Sequence, residues 1–124
     1  MYCVAIIYQK NIKSLRDLTA EHLPLLKNIY ECGVEAIETK YNIKRSQLRI
    51  YVHYQPSFYH FHVHFTYLKY DAPGIFCEKS HLLTTIILNI ELLSDYYQRV
   101  NLSFVIKETD RLYEKIQEYN NAIE

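Results

Sequence analysis

The chain has no tryptophan, one methionine, two glycines and three prolines among its 124 residues. That scarcity of glycine and proline excludes a low-complexity or collagen-like chain and implies long regular elements with few special turns. Charge of one sign is missing too, since 14 Lys and Arg face 14 Asp and Glu. No basic surplus exists to drive binding of long nucleic acid through counterion release, so any nucleotide ligand is expected to be small. Cysteine is sparse and odd in number: Cys3, Cys32 and Cys77 stand far apart, without metal-ligand spacing. They are expected to be reduced, buried residues of an intracellular protein, packing as small hydrophobes. No apolar run reaches the roughly 18 residues of a membrane span. The first eight residues are too short for a signal-peptide core and lack a cationic leader, so the expected location is the cytoplasm or nucleus.

What is abundant is tyrosine, with 13 residues, and an apolar fraction of 49% that suits one core. Residues 1–124 are read as a single domain. Residues 2–8 are β-branched and aromatic and read as a strand, and the nearly unbroken apolar run suggests burial on both faces or an internal sheet position. Thr19 is placed to cap a helix with Glu21 in its first turn. Leu23, Leu26, Ile29, Tyr30, Gly33, Val34 and Ile37 continue it at three- and four-residue steps to about Tyr41. Pro24 sits where a missing N–H costs little.

Residues 47–54 alternate polar and apolar as a second strand. Gln55-Pro56-Ser57 turns the chain, and 59–69 return as a third strand. A tight antiparallel hairpin follows from that reading, with His53 near His60 across the pair. Asp71-Ala72-Pro73-Gly74 is a loop. A helix is expected from Glu78 to about Leu93, a strand over Val100–Lys107 and a closing helix after Thr109. The fold class is α+β, an antiparallel sheet with flanking helices.

The stretch that organises the rest is His60-Phe61-His62-Val63-His64-Phe65. Side chains of a strand alternate between faces, so the three histidines share one face while Phe61, Val63 and Phe65 supply a core. Lone histidines such as His22 and His81 read as ordinary polar residues in early helical turns. A purely structural reading of all three triad residues would require partners for three imidazoles. A metal reading is open as well, because imidazoles at i, i+2 and i+4 can bind zinc. Yet the nearest acidic residue is Asp71 and no cysteine is close. The third reading is covalent catalysis at phosphorus: neutral imidazole attacks a phosphoanhydride and splits one hard displacement into two easier ones. His62 is then the nucleophile, with His60 and His64 holding its tautomer, neutralising phosphate and protonating the leaving oxygen.

His60-Phe61-His62-Val63-His64-Phe65-Thr66 resembles the histidine triad motif, His-φ-His-φ-His-φ-φ, of nucleotide hydrolases and transferases, with Thr66 where an apolar residue is usual. Ser14-Leu15-Arg16-Asp17-Leu18-Thr19, Glu21-His22-Leu23-Pro24-Leu25-Leu26, Val52-His53-Tyr54-Gln55-Pro56-Ser57, Asp71-Ala72-Pro73-Gly74 and Ser80-His81-Leu82-Leu83 all resemble one branch, the scavenger mRNA decapping enzymes. The resemblance covers almost the whole chain. It implies a histidine-triad-like fold and a metal-independent pyrophosphatase in mRNA cap scavenging. Its substrate would be a 7-methylguanosine cap dinucleotide or short capped oligonucleotide, and it would release 7-methyl-GMP through a nucleotidyl-histidine. No cofactor is implied, and a homodimer is. His62 matches the nucleophile and His60 and His64 the rest of the triad, while His53 and Ser57 match positions that contact the phosphate chain; Lys79 falls where a basic residue is usual, placed either to reach phosphate or to start a solvated helix. Phe58 stands where relatives have tyrosine. The family also carries an N-terminal domain and a segment that stacks methylguanine ahead of the first strand. The 124 residues hold neither, which leaves a histidine triad hydrolase without cap selectivity, or a nucleotide-binding module, as alternatives.

Overall fold

The β-branched run at the front forms strand β1 (Tyr2–Ile6) in the computed structural model, which describes residues 1–69, 79–102, Lys115, Gln117 and Glu118. Two 3-10 turns follow, Leu15–Asp17 and Ala20–His22. Ser14 caps the first, its hydroxyl accepting from the Arg16 N–H at 3.2 Å, while Asp17 accepts from the N–H groups of Lys13 and Ser14. The second leads directly into helix α1 (Leu23–Tyr41), with Pro24 in its first turn. Thr19 therefore opens the turn ahead of the helix rather than the helix itself. Asn42 ends α1 in the left-handed conformation (φ 53°), and its N–H donates to the Glu38 carbonyl at 3.0 Å.

Strands β2 (Leu48–His53) and β3 (His62–Tyr67) pair antiparallel, and β1 pairs antiparallel with β3. A third ladder was not foreseen. Ser80–Leu82 form a short strand β4 antiparallel to β2, and helix α2 begins only at Leu83 and ends at Leu92. The helix expected from Glu78 thus starts later, and His81 lies in a strand opposite Val52 instead of in a helical turn. A short helix α3 (Tyr96–Arg99) completes the described fold.

The sheet order is β1-β3-β2-β4. The expected α+β class with an antiparallel sheet and flanking helices is what the structure has. β1, however, is an edge strand of the described sheet rather than an internal one, with Tyr2, Val4 and Ile6 exposed. An apolar run reads alike whether both its faces are buried or one of them borders a cavity.

The core lies on one face of the sheet. Ile50, Val52, Val63 and Phe65 pack with Leu26, Val34 and Ile37 of α1 and Leu83, Ile86 and Ile90 of α2. Gly33 is needed for that contact. A Cβ at this position would stand 2.3 Å from Cζ of Phe65, far inside van der Waals distance.

Arg16 and Gln98 fasten the chain beyond α2 to the turn after β1. Arg16 Nη1 donates to the carbonyls of Tyr97 (3.0 Å) and Val100 (2.6 Å), and Gln98 Nε2 donates to those of Leu18 (3.0 Å) and Arg16. Cys3 is half-buried and Cys32 exposed, both free, so the expectation of buried cysteines fails at Cys32, which lies on the outer side of α1. Val100–Leu102 are not in a strand. The rest of that expected strand, the loop Asp71-Ala72-Pro73-Gly74, Cys77 and the start of the closing helix lie outside the described residues. Lys115, Gln117 and Glu118 are helical.

Candidate active site

Register decides which side chains meet. Val4 of β1 pairs with His64 of β3, and His64 pairs with Tyr51 of β2; Ile6 pairs with His62, and Tyr2 with Thr66. Alternation therefore gathers Tyr2, Val4, Ile6, His62, His64, Thr66, Tyr51 and His53 on the face turned away from the core cluster. His60 precedes β3 in the connection from β2, but it still joins the group. Val4, Ile6, Phe58, His60, His62 and His64 line one cavity of about 210 Å³. That is smaller than the roughly 300–1,000 Å³ that encloses a drug-sized ligand, so it suits the reacting end of a larger molecule. A groove of about 290 Å³ between α1 and α2, lined by Lys27, Tyr30, Glu31, Thr84, Ile87 and Leu88, contains no histidine or cysteine.

Carbonyl oxygens only accept, so two of the hydrogen bonds fix tautomers. His62 Nδ1–H donates to the backbone carbonyl of His60 at 2.8 Å, which leaves the lone pair on Nε2. His60 Nε2–H donates to the carbonyl of Ile7 at 2.7 Å, anchoring that ring to the end of β1. His64 Nδ1 meets the Tyr2 hydroxyl at 2.5 Å, and His64 Nε2 is buried without a hydrogen-bond partner among the described residues.

His64 is also where rings converge. Tyr51 stacks on it at 5.2 Å with planes 9° apart, His53 lies 4.2 Å away, and His62 meets it edge-on at 4.9 Å. Burial first, then the nearby His53, His62 and Lys79, lowers its pKa to about 4, so the ring is neutral at ordinary pH. Burial likewise raises the pKa of the Tyr51 hydroxyl, which lies close to Thr66 and Tyr2. Thr66 is wholly buried beside that hydroxyl, on the site's side of the sheet. Its polarity, unexpected at the end of the motif, goes with this position.

Of the residues singled out from the sequence, His60, His62, His64 and His53 come together, and Lys79 is near enough to His64 to affect its charge. His53 stands beside His64, not His60. The connection from Tyr54 to Phe61 is longer than a tight turn, and the β2–β3 register sets Tyr51 against His64. Ser57 lies in that connection, exposed and outside the cavity lining. His22 is the ordinary polar residue expected, its Nδ1 accepting from the Thr19 N–H at 3.0 Å. His81 is less ordinary, because its Nε2 is buried without a partner among the described residues, and burial and Arg16 lower its pKa. Among the described residues no group of three or more His, Cys, Asp or Glu is disposed to hold a metal ion. Tyr2, Val4, Ile6 and Tyr51 were not foreseen as site residues, although period-two alternation along β1 and β2 places them there.

A family model described as Scavenger mRNA decapping enzyme C-term binding matches residues 1–80. Curated relatives named m7GpppX diphosphatase match most of the chain. The Bos taurus protein is 50% identical over 118 residues, 95% of this chain and 35% of the relative. The Homo sapiens protein is 48% identical over 118 residues, 95% and 35%. The Schizosaccharomyces pombe protein is 31% identical over 118 residues, 94% and 39%. The chain thus spans little more than a third of the length of these relatives. With its triad on the open face of an antiparallel sheet and the family model matching residues 1–80, the chain belongs to the scavenger mRNA decapping enzyme C-terminal family.

Proposed function

We propose that the chain is the catalytic module of a pyrophosphatase that cleaves 7-methylguanosine cap dinucleotides or short capped oligonucleotides, independently of metal, through a nucleotidyl-histidine. The observation that carries this is the bond from His62 Nδ1–H to the His60 carbonyl. It keeps the ring in the tautomer whose Nε2 lone pair is nucleophilic, without a charged partner.

In the first step Nε2 of His62 attacks the phosphorus that bears the methylguanosine. A P–N bond forms, and the P–O bond to the leaving nucleoside diphosphate breaks with its electron pair passing to oxygen. Lys79, close enough to His64 to affect its charge, and the His64 N–H are assigned to the charge that develops. Water then attacks the phosphoramidate: its oxygen bonds to phosphorus, its surplus proton passes to solvent, and the P–N bond breaks. Nε2 recovers its pair, and 7-methyl-GMP leaves. His60, tied to Ile7, fixes the carbonyl that orients His62. The reading includes a homodimer, supported by the exposed β1 edge with Tyr2, Val4 and Ile6.

The test is product analysis with 7-methyl-GpppG and unmethylated GpppG, using His62→Asn as control and a chelated sample alongside. Cleavage of the methylated compound alone, lost in His62→Asn and untouched by chelation, is expected. Equal cleavage of both would replace cap selectivity with general dinucleotide hydrolysis. Activity in His62→Asn would overturn the covalent mechanism, and a loss on chelation restored by zinc would establish a metal enzyme.

A further inference from the structure

Among the described residues His64 Nε2 is buried with no hydrogen-bond partner, in a ring that lines the cavity and carries a single N–H. A buried polar atom left unpaired costs roughly 1–3 kcal/mol, so one in a ring that lines a ligand site has a use there. What that atom can do depends on which nitrogen bears the proton. Phosphate oxygens of an anhydride only accept, so a bare Nε2 lone pair would repel them, and Nε2–H would bind them. The choice is made at the other nitrogen, where the Tyr2 hydroxyl lies 2.5 Å from Nδ1. A hydroxyl can donate as well as accept, and when it donates, the ring's proton must sit on Nε2.

We propose that Tyr2 is a positioning residue: by donating to Nδ1 it places the His64 proton on Nε2, toward the phosphate chain. This rests on the phosphoanhydride reading given above. Two features of the fold support it. Tyr2 stands on β1 opposite Thr66, one pleat from the pair Val4 and His64, so its ring reaches His64 edge-on at 5.6 Å. Tyr51 stacks on the same imidazole and keeps its plane, so the hydroxyl meets Nδ1 in a fixed orientation.

The experiment is Tyr2→Phe, read in two ways. Long-range proton–nitrogen NMR of isotope-labelled imidazoles reports which nitrogen of His64 is protonated in the free protein. Steady-state kinetics on 7-methyl-GpppG report turnover. In the wild-type protein the proton is expected on Nε2. In Tyr2→Phe the Nδ1-protonated form becomes populated and kcat falls about 10- to 100-fold, the scale typical of losing a group that orients an active ring. Tyr8→Phe, at a fully exposed position away from the cavity, changes neither reading. A wild-type His64 protonated on Nδ1, or a Tyr2→Phe variant with wild-type tautomer and rate, overturns the proposal. Should the wild-type protein cleave no cap compound, the phosphoanhydride reading falls, and the NMR result alone still decides whether Tyr2 sets the proton.

Discussion

At the scale of single residues, His64 links the chemistry of the site to the stability of the fold. Its folded-state pKa, about 4, lies below the ordinary 6.5. As pH falls below about 6.5 the unfolded chain takes up a proton that the folded chain refuses. Stability is therefore lost between about 6.5 and 4 and levels off below, by at most roughly 3–3.5 kcal/mol from this residue. His81, shifted in the same direction, adds to the slope. Urea titrations at pH 7 and pH 4.5 are expected to show a smaller pH-dependent loss in His64→Asn than in the wild type. Equal losses would mean that His64 titrates normally. His60, His62 and His64 were legible as a group because the evidence for them is local, a period of two over five residues. Tyr2 was not, since the bond that gives it meaning joins residues 62 positions apart.

At the scale of elements, the α1–β3 contact shows a packing requirement overriding a local preference. Glycine inside a helix costs roughly 0.5–1 kcal/mol relative to alanine. Gly33→Ala would recover that amount but drive a methyl group into the Phe65 ring, itself only 2% exposed. Overpacking of this kind typically costs about 1–3 kcal/mol. The variant is expected to be less stable than wild type by about 1–2 kcal/mol in urea unfolding, and a gain in stability would mean that Phe65 yields freely. The long elements were readable from periodicity: α1 ends where Lys40-Tyr41-Asn42 suggested, and β2 and β3 fall inside their expected spans. β4 was hidden because Ser80-His81-Leu82 is too short for an alternation signal and borders a helical pattern. It becomes a strand only by pairing with the edge of β2, a tertiary effect.

For the whole molecule, the described sheet has one long open edge. Unpaired backbone groups on an exposed edge strand invite another strand, and β1 also presents Tyr2, Val4 and Ile6 to solvent. Light scattering is expected to give a mass of twice 14.9 kDa for the wild-type chain. Val4→Lys, which puts a charge on that edge, should shift the population toward monomer. A monomeric wild type at micromolar concentration would remove the edge from consideration as a self-association surface.

The sheet's two faces also divide labour within a single strand. Along β3, Val63 and Phe65 belong to the core, while His62 and His64 belong to the cavity. Successive letters of one short segment thus answer to different physical demands. A lineage could lose its chemistry through His62 alone and keep the core packing of Val63 and Phe65. Thermal denaturation is therefore a poor proxy for a working enzyme here, and survival of the fold in a relative says nothing of survival of its reaction.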